Sequence, residues 1–211
     1  DRFPQPGETR RGHGFSTGPG GKGFNQAVAC ARQGVRTAFI GARGDDALGA
    51  IAAGIAEAEG LHCRWQVRSD MPTGSACIVV DEASQNQIVV YLAANEHLDP
   101  SFLHAQAEVL SEARILLTQL ENNLDASIAA LRMAGDSNLL RVLNPAPVHA
   151  DLNLDVLHMV DLLTPNEGEF AALCRRFTGS DVQADAVARM DDAELHALAR
   201  QLGPANMVIN L

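Results

Sequence analysis

Short apolar runs alternate along the chain with segments whose apolar residues recur every three or four positions, and that rhythm predicts an α/β protein. Phe24, Ala27, Val28 and Ala31 follow the spacing of one helix face and Gly34 supplies a stop, predicting a helix over about 22–33. Thr37 to Gly41 is short, apolar and glycine-bounded, so it reads as a buried strand; Asp45 or Asp46 can then cap a helix carrying Leu48, Ile51 and Ile55. The alternation returns in a helix near 100–112 opened by Asp99-Pro100, a strand at Ile115 to Thr118, a helix at Leu124 to Ala134 and a strand at Leu140 to Leu143. It ends in a strand at Val160 to Leu163, helices at Asn166 to Phe177 and Asp191 to Leu202, and a strand at Met207 to Leu211. Strands alternating with helices imply a mostly parallel sheet flanked by helices.

One region breaks the rhythm. Gly74 to Val80 and Gln87 to Leu92 are strand-like runs joined by six polar-rich residues, the pattern of a β-hairpin. Apolar residues fill both alternating sets, so at least one face needs cover. That cover is either a second subunit over a small β lid or the edge of the main sheet. Residues 1–14 are turn-rich and offer no apolar first strand, while the chain stops just where its last strand should lead into a loop; both ends look cut.

Composition narrows the partners. The 211 residues are 46% apolar, enough for a sizeable core, and 16 basic against 26 acidic residues leave a formal charge of −10. Such a chain repels nucleic acid and anionic membranes, so a small-molecule partner is expected. No membrane-length apolar stretch or signal-peptide core is present, and the protein reads as cytoplasmic. Cys30, Cys63, Cys77 and Cys174 are widely spaced and read as buried, inert thiols; the seven histidines show no metal-ligand spacing.

Gly18-Pro19-Gly20-Gly21-Lys22-Gly23 matches a dinucleotide-binding glycine pattern, but His13 to Thr17 is not the buried strand that pattern requires. A Walker loop fails too, since Ser16 and Gly23 occupy its required Gly and Ser/Thr positions. What remains is a glycine segment leading into a helix beside Lys22 and Asn25: backbone N–H groups, a cation and an amide able to grip hydroxyls or an oxyanion, or else a simple tight turn.

Gly20-Gly21-Lys22-Gly23-Phe24-Asn25-Gln26-Ala27-Val28-Ala29, with Phe39-Ile40-Gly41 and Gly44-Asp45-Asp46-Ala47-Leu48-Gly49, resembles the N-terminal signature of the ribokinase family, also called the phosphofructokinase B family of carbohydrate kinases. The resemblance continues in family order through Gln87 to Val90, Ala94-Asn95, Thr118-Gln119-Leu120-Glu121, Leu143-Asn144-Pro145-Ala146-Pro147 and Leu163-Thr164-Pro165-Asn166-Glu167-Gly168-Glu169. It implies a ribokinase-like, Rossmann-like three-layer fold with a small β lid, whose lid strands fall within about 5–20 and 62–95.

The implied activity is ATP-dependent phosphorylation of a sugar hydroxyl, D-ribose foremost, with another sugar or a nucleoside as the alternative and an inactive sugar-binding or dimerising fragment as a further one. By that resemblance Gly21, Lys22, Asn25 and Glu121 contact the sugar, while Asn166 and Glu169 organise the ATP phosphates and magnesium, Glu169 through water. Asn166 followed by Glu169 is equally an ordinary helix start. A monovalent cation, K+, and a homodimer formed through the β lid are also implied. The family's catalytic aspartate lies in a Gly-Ala-Gly-Asp motif absent from this sequence, so base and anion hole are expected beyond Leu211, and Asp45 and Asp46 do not replace them. Phe24 stands where the family usually has a small residue, and either packs in the helix interface or narrows substrate choice.

Overall fold

The computed structural model describes residues 2–210, which divide into two compact units, 2–96 and 97–210. Both are built on the α/β plan; the second unit's strands all pair in parallel, and the first has one parallel pair and one antiparallel pair.

In the first unit, α1 (Lys22–Arg32) precedes β1 (Ala38–Gly44), α2 (Ala47–Ala58) and β2 (His62–Arg68), and β1 and β2 pair in parallel from Ala38–His62 to Gly44–Arg68. Their core forms where Phe24 and Ala27 of α1 and Ala56 of α2 meet Phe39, Cys63 and Trp65 of the two strands. Phe24 lies edge-on to Phe39 with ring centroids 5.6 Å apart and stacks on Trp65 at 6.4 Å, so it packs between helix and strands. Arg32 at the end of α1 is paired with Glu59 just after α2, fastening the two helices on that side.

β2 completes a βαβ unit with β1. Its alternation of Cys63, Trp65 and Val67 with polar neighbours is the period-2 signal of a half-covered strand. The lid strands expected within 5–20 are absent, that segment being turn and extended coil held by Arg2 bound to Glu8 through two hydrogen bonds of 2.8 and 3.0 Å. α2 also turns differently from expectation. Leu48 and Ile51 are 46% and 44% exposed, while Gly49 and Ala56 are buried. The helix approaches so closely that a β-carbon on Gly49 would overlap the Gly44 carbonyl and the Thr73 hydroxyl, so only its small residues fit inward.

β3 (Ser75–Val80) and β4 (Asn86–Tyr91) form the expected antiparallel hairpin, with Ser75 opposite Tyr91 and Val80 opposite Asn86. Every residue of both strands is exposed, including Ile78, Val80, Ile88, Val89 and Tyr91. The turn is closed by Asp81, whose carboxylate accepts from Ala83 N and Gln85 N, both at 2.9 Å.

The second unit carries four parallel strands in chain order: β5 (Ile115–Thr118), β6 (Leu140–Leu143), β7 (Leu162–Leu163) and β8 (Asn206–Met207). The stretch 100–112 is two short helices, α3 (Pro100–His104) and α4 (Ala107–Ser111), broken at Gln106. Then α5 (Leu124–Asp136) joins β5 to β6, α6 (Leu154–His158) joins β6 to β7, and α7 (Glu167–Phe177), α8 (Ala184–Val187) and α9 (Asp192–Leu202) lie between β7 and β8. Leu143 and Leu163 project into a core closed by Leu131, Phe170, Leu173 and Leu202, all fully buried. A core of this size provides most of the stability, at about 1.5–3 kcal/mol for each large apolar side chain fully buried. Arg141 binds Asp161 through paired bonds of 2.9 and 2.8 Å, fixing β6 against β7 at their amino ends. The last predicted strand is shorter than expected: beyond Met207 the chain meets its neighbour again at Asn210, bridged to Asn166, and the predicted end at Leu211 lies outside the described residues.

Candidate functional site

The glycine segment delivers its polar groups by strain and by helix phase. Gly21 precedes α1 with φ 90°, a conformation that a β-carbon disfavours. Gly21, at the N-cap, has no side chain to cap the helix. Asn25 N donates to Gly21 O at 2.9 Å, closing the first turn. With Phe24 turned into the core, the helix phase leaves Asn25 exposed and Lys22 half-buried. Gly21, Lys22 and Asn25 thus share one helix start, as the sequence predicts, and its donors suit hydroxyl or anionic oxygens.

In the second unit, parallel strands send their outgoing loops to one carboxyl edge. Glu121 follows β5 there, Asn144 follows β6, and Asn166 and Glu169 follow β7. β5 and β7 flank β6, which sets their ends about 10 Å apart. The edge is cross-tied: Asn144 N donates to Thr118 O at 2.9 Å, its Nδ2 donates to Thr164 O at 2.8 Å, and Leu120 N donates to Ala146 O at 3.2 Å. Glu121 is half-buried between Leu120, which is buried, and Asn122.

Asn166 and Glu169 form a reciprocal cap at the start of α7. Asn166 Oδ1 accepts from Glu169 N at 2.8 Å, and Glu169 Oε2 accepts from Asn166 N at 2.9 Å. The helix-start reading is therefore correct, and one oxygen of Glu169 remains outside the cap. Among the described residues no three His, Cys, Asp or Glu side chains gather to hold a metal. A carboxylate acting through water fits magnesium, which keeps several waters and is held largely by phosphate oxygens.

The thiols correct one expectation. Cys174 is buried, and burial pushes its thiol up to about 11. Burial also raises Cys63, whereas Cys77 is exposed on β3. A surface cleft of about 600 Å³ lined by Arg2, Phe3, Pro4, Gln5, Pro6 and Gln87 contains none of the predicted site residues. The sequence reading did not find Asn144 as a tie between strand ends, nor the buried hydroxyls of Thr118 and Ser127; a polar residue inside the apolar face of α5 was the available signal for Ser127.

Parallel strands presenting polar loops at a shared carboxyl edge are the arrangement at which open α/β sheets hold their ligands. The profile of pfkB family carbohydrate kinases matches residues 1–209, and the chain belongs to that family. It is 37% identical over 168 residues to a ribokinase of Haemophilus influenzae, covering 79% of this chain and 55% of that protein. It is 36% identical over 169 residues to a mouse (Mus musculus) ribokinase, covering 80% and 52%. The chain thus spans about half the length of these curated relatives. Among solved structures, ribokinase from Giardia lamblia superposes with a TM-score of 0.85 at 29% identity, covering all of this chain and 64% of that one. Arabidopsis thaliana ribokinase, complexed with ribose and ATP, superposes at 0.77 with 26% identity, covering 99% and 65%.

Proposed function

We propose that the protein containing this chain transfers the γ-phosphate of ATP to a sugar hydroxyl, with D-ribose as substrate and ribose 5-phosphate as product. The observation that carries this reading is the carboxyl edge of the second unit, where Glu121, Asn144 and the Asn166–Glu169 pair stand in the order of the family's motifs. In this reading Gly21, Lys22 and Asn25 grip sugar hydroxyls and Glu121 orients the sugar, its carboxylate accepting from paired hydroxyls with directional bonds. Asn166 and Glu169 stand at the positive end of α7, where phosphate oxygens and hydrated magnesium are favoured, and Glu169 acts on the metal through water. Magnesium, when bound, neutralises phosphate charge; K+ is the monovalent cation of this scheme. In this reading a second copy of the chain covers the exposed hairpin.

Phosphoryl transfer also needs a group to accept the hydroxyl proton. The family's Gly-Ala-Gly-Asp motif does not occur within these 211 residues, so the chain alone is expected to bind sugar without forming ADP. A second substrate reading rests on a deoxyribokinase of Salmonella typhi, 30% identical over 174 residues, covering 82% of this chain and 57% of that protein. Phe24 gives no support to a narrowed sugar pocket, being packed against Phe39 and Trp65.

The test is ADP formation by the full gene product with ribose, 2-deoxyribose, hexoses and nucleosides in turn. Ribose-dependent turnover lost in K22A and E121Q supports the reading. Turnover with a hexose or nucleoside but never with ribose moves the assignment elsewhere in the family.

A further inference from the structure

Among the described residues two polar side chains are buried, Thr118 at 8% and Ser127 at 1% exposure, and both address the loop that carries Glu121. Ser127 lies one turn into α5, between the buried Ala126 and Leu131, where alanine would fill the space without a polar atom to satisfy. A hydroxyl in a helix interior ordinarily bonds back to a carbonyl of the preceding turn. This one reaches out of the helix instead. Its Oγ lies 2.8 Å from Asn122 Oδ1 and 3.4 Å from Gln119 O, so its single proton serves Asn122 and extends a longer second limb to Gln119. Thr118 Oγ1 approaches the same Gln119 carbonyl from the strand side, at 3.4 Å.

The residues either side of the Leu120–Glu121 pair are thereby tied to one buried hydroxyl, and Leu120 itself is buried and bonded to Ala146 O. A strand-end loop without such ties samples several conformations. We infer that Ser127, with Asn122 as its partner, is a positioning residue that fixes the loop holding Glu121 and so sets affinity for the sugar. The inference rests on Glu121 contacting the sugar, and it deepens that reading by locating the support of the contact inside α5. A binding group is only as well placed as the shell behind it, and small displacements cost affinity.

The experiment measures KM for ribose, KM for ATP, kcat and the melting temperature in the full gene product for S127A, S127T, N122A, the S127A/N122A double variant and E121Q. S127A and N122A are each expected to raise the ribose KM by about five- to tenfold with the ATP KM unchanged. The double variant should be no worse than either single one, because both remove the same bond. S127T, which keeps the hydroxyl, should recover most of the affinity. An unchanged ribose KM in S127A or N122A, or equal rises in both KM values, overturns the inference. If S127A does not fold, N122A carries the test alone, its side chain being only half-buried. An unaltered ribose KM in E121Q overturns the Glu121 contact, which separates failure of the underlying reading from failure of the support.

Discussion

The Asp46 carboxylate accepts from both the backbone N–H and the hydroxyl of Thr73, at 2.8 and 2.6 Å, while also capping α2 through Gly49 N at 2.8 Å. Thr73 Oγ1 in turn accepts from Gly44 N at 2.9 Å, so one carboxylate and one hydroxyl tie the end of β1, the start of α2 and the entry to β3. A β-carbon on Gly44 would lie 2.6 Å from Thr73 N, which explains the glycine there. This accounts structurally for the Gly44-Asp45-Asp46 turn. Removing the cap in D46A should cost about 1 kcal/mol or more, read as a lower urea midpoint with unchanged slope.

The same joint gives a pH dependence. The Thr73 hydroxyl first, then the N–H groups of Thr73 and Gly49, hold Asp46 below its ordinary value of 3.8. A depressed carboxylate contributes stability that is fully present above that value and is lost as pH falls through the lower folded one. The urea-midpoint difference between the parent and D46N should therefore be constant near neutrality and shrink below about pH 4. A difference that grew on acidification would contradict the assignment.

At α7 the structural and functional roles of one motif can be separated. Glutamine satisfies a reciprocal cap as glutamate does, so E169Q should melt close to the parent. N166A removes the cap and should lose about 1 kcal/mol. If Glu169 acts on hydrated magnesium, E169Q loses activity and responds less to added magnesium, which turnover against magnesium concentration measures.

Phe24 tests the small aromatic core. Only 5% exposed and in contact with two other rings, it should cost about 3 kcal/mol or more on truncation to alanine. The chain's single tryptophan, Trp65, lies in that core, so its fluorescence reports the transition locally.

Much of the fold was legible because period and punctuation agree. Ile115 to Thr118 and Leu140 to Leu143 are strands at the residues predicted, and Asn166 and Asp191 cap the helices they were expected to open. α2 was misread in phase because glycine and alanine, not Leu48 and Ile51, fit where helix and loop nearly touch; close approach is a tertiary fact that hydrophobicity does not encode. β2 was not predicted as a strand, although Cys63, Trp65 and Val67 alternate with polar neighbours; alternation gives strand character but not the partner. The site shows the same division. Sequence motifs pointed to Gly21, Lys22, Asn25, Glu121, Asn166 and Glu169, while the Ser127 hydroxyl emerged only when α5 was folded against the loop before it.

The hairpin has a kinetic consequence. Cys77 stands on β3 directly opposite Val89, on a ribbon whose two strands are exposed throughout. A thiol on such a ribbon is reachable by an alkylating reagent only while the ribbon is bare, so the rate of Cys77 modification is a clock for how long the hairpin stays uncovered. Slowing of that clock with rising protein concentration would time the arrival of a second copy.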